Sequence, residues 1–292
     1  MPMSSSATPL VECRNRLGEG PVWVERDQSL YWVDIRTPAI WRRDWASGDV
    51  TLYDPPWPVT ALAPHAAGGF IAGTMHGLAL IDPERGAYDH LADLEPDVPG
   101  NRCNDGKVDR AGRFWAGTMD DAEEQASGQL FRVDSPTHWT LMDGGYRVTN
   151  GPAFSRDNRI MYHADSALGR IYRYALDEAG EIVTREEFVH FERADGYPDG
   201  MSVDAQSHLW VAFWDGWCLR RLSPEGHCVE TLEVPVQRPT SCTFAGSGLD
   251  TLVITSARIG IPENELARQP LAGALFITTP AVGGMADVPF GG

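Results

Sequence analysis

The chain has 292 residues, enough for one large domain or two small ones and for a sizeable core without disulfides. Acidic residues outnumber basic ones 41 to 24, a formal charge of −17 that disfavours nucleic-acid partners and anionic membrane surfaces. No apolar stretch approaches the ~20 residues of a membrane span, and 30 Gly and 21 Pro spread along the chain favour many short strands over long helices.

Residues 1–8 read as a frayed N-terminal tail, lacking the basic and apolar regions of a secretory signal. The run Pro9–Cys13 is expected to pair into the last repeat and close a ring. Six segments then follow one grammar: an apolar residue, a polar turn, two to five β-forming residues, then Gly, Asp, Ser or Trp. They begin at Val24, Ala63, Val108, Phe154, Val203 and Phe244, spaced 39 to 49 residues apart. Turns such as Asp109-Arg-Ala-Gly-Arg113 and Arg156-Asp-Asn-Arg159 suit a hairpin. Ile40–Arg43 and Gly169–Leu176 add further β-rich runs for outer strands. HEAT repeats share this period, but no window sustains a 3.6-residue apolar pattern with caps. The spacing instead matches four-stranded blades, so the expected fold is all-β: a six-bladed β-propeller formed by residues 9–292 as one domain.

The five cysteines, Cys13, Cys103, Cys218, Cys228 and Cys242, are odd in number and lack C-x-x-C spacing. They read as buried thiols of a reduced, cytoplasmic protein. No nucleophile elbow, phosphate-binding loop or dinucleotide fingerprint is present. His163 could face a central channel, although a core histidine is the plainer reading. Trp210, Trp214 and Trp217 belong to blade packing, with room for one or two of the ten Trp to stack on a ligand.

Polar residues fall where strands should be dry. Glu19 stands between glycines ahead of the first repeat; Asn101–Lys107 precedes the third, Thr149–Gly151 the fourth, and Tyr197–Gly200 the fifth. Any one Asn-Gly or Asp-Gly is a turn signal. Recurrence in phase across blades would instead aim these side chains into one funnel. Asn104-Asp105 fits either reading, Asp105 as a turn residue. If Glu19, Asn150 and Asp199 converge, they offer two carboxylates and an amide oxygen. Such a set suits Ca²⁺ first, then Mg²⁺ or Mn²⁺, with Zn²⁺ and Fe²⁺ less favoured for want of His or Cys. Fewer than six protein ligands would leave room for water or substrate.

Several phrases closely resemble the SMP-30/gluconolactonase/regucalcin-like family. They are Gly18–Trp23, Asn101–Asp109, Ala116–Met119, Thr149–Pro152, Tyr197–Met201, Ala257-Arg258 and Gln269–Gly273, in the family's order along nearly the whole chain. The resemblance implies a six-bladed propeller with one divalent ion held by Glu19, Asn150 and Asp199. It further implies substrate contacts from Arg102 and Asn104, with Asp199 as the general base. In some members a glutamate after Gly-Thr-Met also touches substrate. An ungapped match puts Ala122 there, and the adjacent Glu123 is assigned the role.

The resulting expectation is metal-dependent hydrolysis of a sugar lactone, such as glucono-, xylono- or arabinolactone. Asp199 would take a proton from water, Asn104 and the ion would stabilise the oxyanion, and Arg102 would hold sugar hydroxyls. The expected partner is a small-molecule sugar lactone, with no nucleic acid or membrane, on a monomer or weak homo-oligomer. The alternatives are a non-catalytic calcium-binding regulatory propeller and a propeller esterase of other specificity. A protein-binding scaffold ranks behind them, because it leaves the in-phase acids and amides without a purpose.

Overall fold

A computed structural model describes residues 6–291. Six four-stranded antiparallel sheets follow one another along the chain, giving the six-bladed β-propeller that the repeat predicts. Each recurring segment is the turn of a blade's first hairpin. Val24, for example, ends inner strand Gly18–Val24, and the second strand is Ser29–Asp34. Corresponding inner strands are Val59–Pro64, Asn101–Val108, Thr149–Phe154, Tyr197–Val203 and Pro239–Ala245. The β-rich runs near residues 40 and 170 are third strands, Ala39–Asp44 and Arg170–Leu176. The fourth strands of these blades, Val50–Tyr53 and Ile182–His190, carry mixed polar sequence and gave no signal.

The ring closes through the N-terminus. Strand Thr8–Val11 is the outermost strand of blade 6, with Thr8 opposite Ile277. The expected tail of residues 1–8 is therefore corrected at its end: Thr8 is paired, and Ala7 is buried in the cluster between blades 5 and 6. Residues 1–5 lie outside the described residues.

Six hydrophobic clusters each join two neighbouring blades, so the core is a series of wedges around the axis. The cluster of Trp115, Leu130 and Tyr146 with Phe154, Met161 and Tyr174 locks blade 3 to blade 4. Another joins Trp23, Leu30 and Trp32 to Ala245, Val253 and Leu275 across the closure. Buried aspartates staple two of the turns. Asp109 accepts from Arg113 Nε at 2.7 Å and Trp115 Nε1 at 3.1 Å, and Asp204 does the same with Arg221 and Trp210. The segment from Gly283 to Gly291 covers this turn end of the channel, where Phe290 packs among blades 2 and 3 and Lys107 pairs with Asp287 at 3.5 Å.

Neighbouring blades approach one another closely where glycine removes a side chain. A Cβ on Gly117 would lie 2.6 Å from Thr149 Cβ, and one on Gly200 would lie 2.5 Å from Ser241 Cβ. All five cysteines are free; Cys103, Cys218 and Cys242 are buried as expected, whereas Cys13 is half-buried and Cys228 is exposed on a fourth strand. Among the described residues no helix is long and apolar enough to cross a membrane.

His163 is a core residue. It is fully buried, its ring lies edge-on to Tyr146 at 5.0 Å, and neither ring nitrogen has a partner. Burial drives its pKa down to about 3. Between the ordinary histidine value of 6.5 and about 3, the unfolded chain takes a proton that the folded chain refuses. Stability contributed by this group is therefore present above that window and lost as pH falls through it, by up to about 1.4 kcal/mol per pH unit. His163→Phe keeps the ring contact and removes the titration. Its acid-unfolding midpoint should move to lower pH; pH-dependence identical to the parent protein would contradict this.

Candidate active site

Every inner strand carries a bulge at the same level. In blade 1 Glu19 faces Val33 but Val22 faces Tyr31, so three steps on the inner strand match two on its partner. Equivalent shifts occur between Val59 and Ala61, Cys103 and Gly106, Asn150 and Ala153, Pro198 and Met201, and Pro239 and Cys242. A bulge bends a strand and re-aims a side chain. Here repetition of the bulge brings residues from blades 1, 3, 4 and 5 to one cavity, while blades 2 and 6 place Thr60 and Thr240-Ser241 at that level.

The cavity is about 410 Å³ and is lined by Glu19, Arg102, Asn104, Glu123, Asn150 and Asp199, all six residues singled out in the sequence. Five are buried; Glu123 is exposed at the mouth. Ser166, Arg147 and the apolar Met119, Val148, Tyr197 and Trp214 complete most of the wall. Of the three tryptophans considered above, Trp210 is core, Trp217 is exposed and Trp214 reaches the cavity.

The two carboxylates are bound alike. Glu19 Oε2 accepts from Gly20 N at 3.1 Å and Asp199 Oδ1 from Gly200 N at 3.0 Å; among the described residues the other oxygen of each has no protein partner. Burial first, then the negative charge of Asp199 and Asp105, holds the Glu19 carboxyl well above the usual range. Burial and then Asp105 do the same for Asp199. Asp105 is pushed up to about 6, mainly by burial, and its two oxygens accept from Gly106 N at 2.7 Å and Gly151 N at 2.8 Å. Asp105 thus ties blade 3 to blade 4, more than a turn residue would.

Repelling buried carboxylates with open oxygens fit a bound cation, because an uncompensated buried charge is costly. Among the described residues no three His, Cys, Asp or Glu side chains gather closely enough to hold an ion by themselves. A third oxygen donor at this level would have to be an amide or hydroxyl, and Asn150 lines the same cavity. Its Nδ2 donates to Ser166 Oγ at 2.8 Å, and Ser166 Oγ donates to Pro198 O at 2.5 Å, which fixes the amide with Oδ1 on the side of Asn104, whose Nδ2 donates to it at 3.1 Å. Sequence reasoning missed Ser166, which comes from the end of a second strand and has no motif. Ser166→Ala should weaken divalent-ion binding about ten- to hundredfold, as loss of an orienting partner does. Titration calorimetry showing unchanged affinity would rule out that orienting role.

Arg102 is anchored on three sides: Nε donates to Asp121 at 2.5 Å, and Nη1 donates to Cys103 O at 2.9 Å and Asn104 Oδ1 at 2.7 Å. Arg36 holds Asp121 from the other side at 2.8 Å. Nη2 has no partner among the described residues. Asn104 behaves differently from the expectation of a free substrate donor. Its Nδ2 already donates to Thr149 O at 2.6 Å and Asn150 Oδ1 at 3.1 Å, so it links Arg102 to Asn150. Glu123 is set by the loop wrapped on Asp120, whose carboxylate accepts from Glu124 N and Gln125 N at 2.9 Å each. Its backbone stands at φ 59°, a conformation that non-glycine residues rarely adopt, and Glu123 rather than Ala122 reaches the cavity.

The chain is similar to known proteins over nearly its whole length. The model of the family described as SMP-30/gluconolactonase/LRE-like matches residues 17–258. A 6-deoxy-6-sulfogluconolactonase of Pseudomonas putida is 39% identical, covering 94% of this chain and 95% of its own. An L-arabinolactonase of Azospirillum brasilense is 34% identical, covering 99% and 97%. Among solved structures, the calcium-binding protein regucalcin of Agrobacterium tumefaciens superposes with a TM-score of 0.93 at 29% identity, covering 98% of this chain and 97% of that one.

Proposed function

The chain belongs to the SMP-30/gluconolactonase/LRE-like family, and from that premise we propose that it hydrolyses an aldonolactone to the sugar acid with one divalent ion held by Glu19, Asn150 and Asp199. The observation that carries this reading is the pair of buried carboxylates, each with one oxygen open to a cavity that also presents Arg102. The sulfogluconolactone and L-arabinolactone in two relatives' names make aldonolactones the class to test first. Calcium is placed first among the ions, from the oxygen-only donor set and the calcium-binding regucalcin relative.

When bound, the ion neutralises the two carboxylates and supplies Lewis-acid polarisation of the lactone carbonyl. Asp199 accepts the proton of the attacking water and returns it to the ring oxygen as the carbonyl–oxygen bond breaks. Burial and then Asp105 raise the Asp199 carboxyl in the ion-free chain, and a bound ion opposes that shift, so the role of Asp199 rests on its place beside the water. Arg102 Nη2 and Glu123 hold the sugar hydroxyls and fix the face presented to water. Asn104 keeps Arg102 and Asn150 in register, and Met119, Tyr197 and Trp214 wall the ring on its apolar side.

The test is acid release from glucono-, xylono-, arabino- and galactonolactone and an aryl ester by chelated protein, with and without each ion, after subtracting spontaneous opening. Ion-restored turnover of at least one aldonolactone above the aryl ester is expected. Tight ion binding with no turnover on any substrate would favour a non-catalytic calcium-binding propeller instead.

A further inference from the structure

Arg147, an exposed residue on the loop entering the inner strand of blade 4, lines the mouth of the cavity. Among the described residues its guanidinium pairs with no carboxylate, in a chain where acids outnumber bases 41 to 24. The neighbouring arginines are engaged: Arg36 and Arg102 share Asp121, and Arg238 pairs with Asp215 at 2.6 Å. The backbone that carries Arg147 is fixed, because the buried carboxylate of Asp165 accepts from Arg147 N at 3.1 Å and Val148 N at 3.3 Å. The buried Asp165 carboxylate feels the charge of Arg147, but among the described residues no carboxylate forms an ion pair with its guanidinium, so its donors stay available to an anion brought by the ligand.

We infer that Arg147 binds an anionic substituent of the substrate, so the preferred lactone carries a sulfonate, phosphate or carboxylate on a carbon remote from the reacting carbonyl. Asp199, the proposed base, lies at the inner-strand bulge of blade 5, and Arg147 on the rim loop of blade 4. A sugar lactone held at both points therefore spans from the reacting carbonyl to its far end. Guanidinium recognition of such oxyanions is favoured by its fork of donors. This inference rests on the lactonase reading and names its substrate class. Blade 1 supplies a control: Asp34 fixes Arg16 N and Leu17 N in the same way, yet there Leu17, not Arg16, reaches the cavity.

The experiment measures kcat/KM for gluconolactone and for lactones bearing a terminal phosphate or sulfonate, in the ion-loaded protein and its variants. In Arg147→Met the ratio of charged to neutral substrate should fall about tenfold to a hundredfold, mainly through KM, with partial recovery in Arg147→Lys. Arg16→Met should leave the ratio in place. An unchanged ratio in Arg147→Met overturns the inference, and so does an equal fall in Arg16→Met, which would mean diffuse attraction in place of contact. Preference for one of phosphate and sulfonate identifies the anion. If no lactone is turned over, the lactonase reading fails by itself, and calorimetric binding of 6-phosphogluconate still reads this site. Weaker binding to Arg147→Met then supports the contact, and equal binding overturns it.

Discussion

The Glu19→Gln protein should be more stable than its parent when both are stripped of divalent ions, and should bind those ions at least about a hundredfold more weakly, beyond the usual cost of losing an orienting partner. Both effects have one cause. The Glu19 carboxyl is raised by burial, then by Asp199 and Asp105. A folded-state pKa above the ordinary glutamate value of 4.5 means that the ion-free folded chain holds a proton the unfolded chain has released. Stability therefore falls as pH rises from that value through the folded pKa, and the penalty is present at neutral pH. Glutamine removes the charge and keeps the shape, so the melting temperature without ions should rise by a few degrees. Added ion should stabilise the parent increasingly as pH rises and leave the variant nearly unmoved. A variant less stable than its parent without ions, or one that still binds them tightly, would show that Glu19 is a structural residue.

The second large effect is expected at Arg102. Its guanidinium spans Asp121, the Cys103 carbonyl and Asn104 Oδ1 in one plane, which a lysine ammonium cannot reproduce. Arg102→Met leaves Asp121 to Arg36 alone and frees Asn104, which in turn holds Asn150. Turnover by kcat/KM should fall about tenfold to a hundredfold, the loss expected for charge-assisted contacts, and Arg102→Lys should not restore it. Ion affinity should fall much less, because Glu19 and Asp199 are untouched. Full activity in the lysine variant would reduce the role of Arg102 to charge.

The propeller was legible because each blade repeats the same hairpin chemistry, with a polar turn between two short apolar runs. Glu19, Asn150 and Asp199 stood out for a related reason: a carboxylate or amide in phase with the start of successive inner strands breaks the apolar pattern. The parts that escaped are those assembled across the fold. Ser166 orients Asn150 from sixteen residues away through a serine with no sequence signature. Asp121 anchors both Arg36 and Arg102, and Asp120 sets the loop of Glu123, although the two aspartates look alike in sequence. The C-terminal segment gave no β signal because it docks by single bridges, such as His65 with Phe290 and Asp204 with Gly284. Asn104 was legible as a site residue, but its role as a link follows only from where its amide hydrogens go.

The most direct test of the account follows lactone hydrolysis and ion binding together in one titration of chelated protein, with Asp199→Asn beside it. The account predicts one equivalent of bound ion, a rate that saturates with the binding curve, and loss of both in the variant. Full turnover in the chelated protein, or saturation of a tight site with no change in rate, would contradict it.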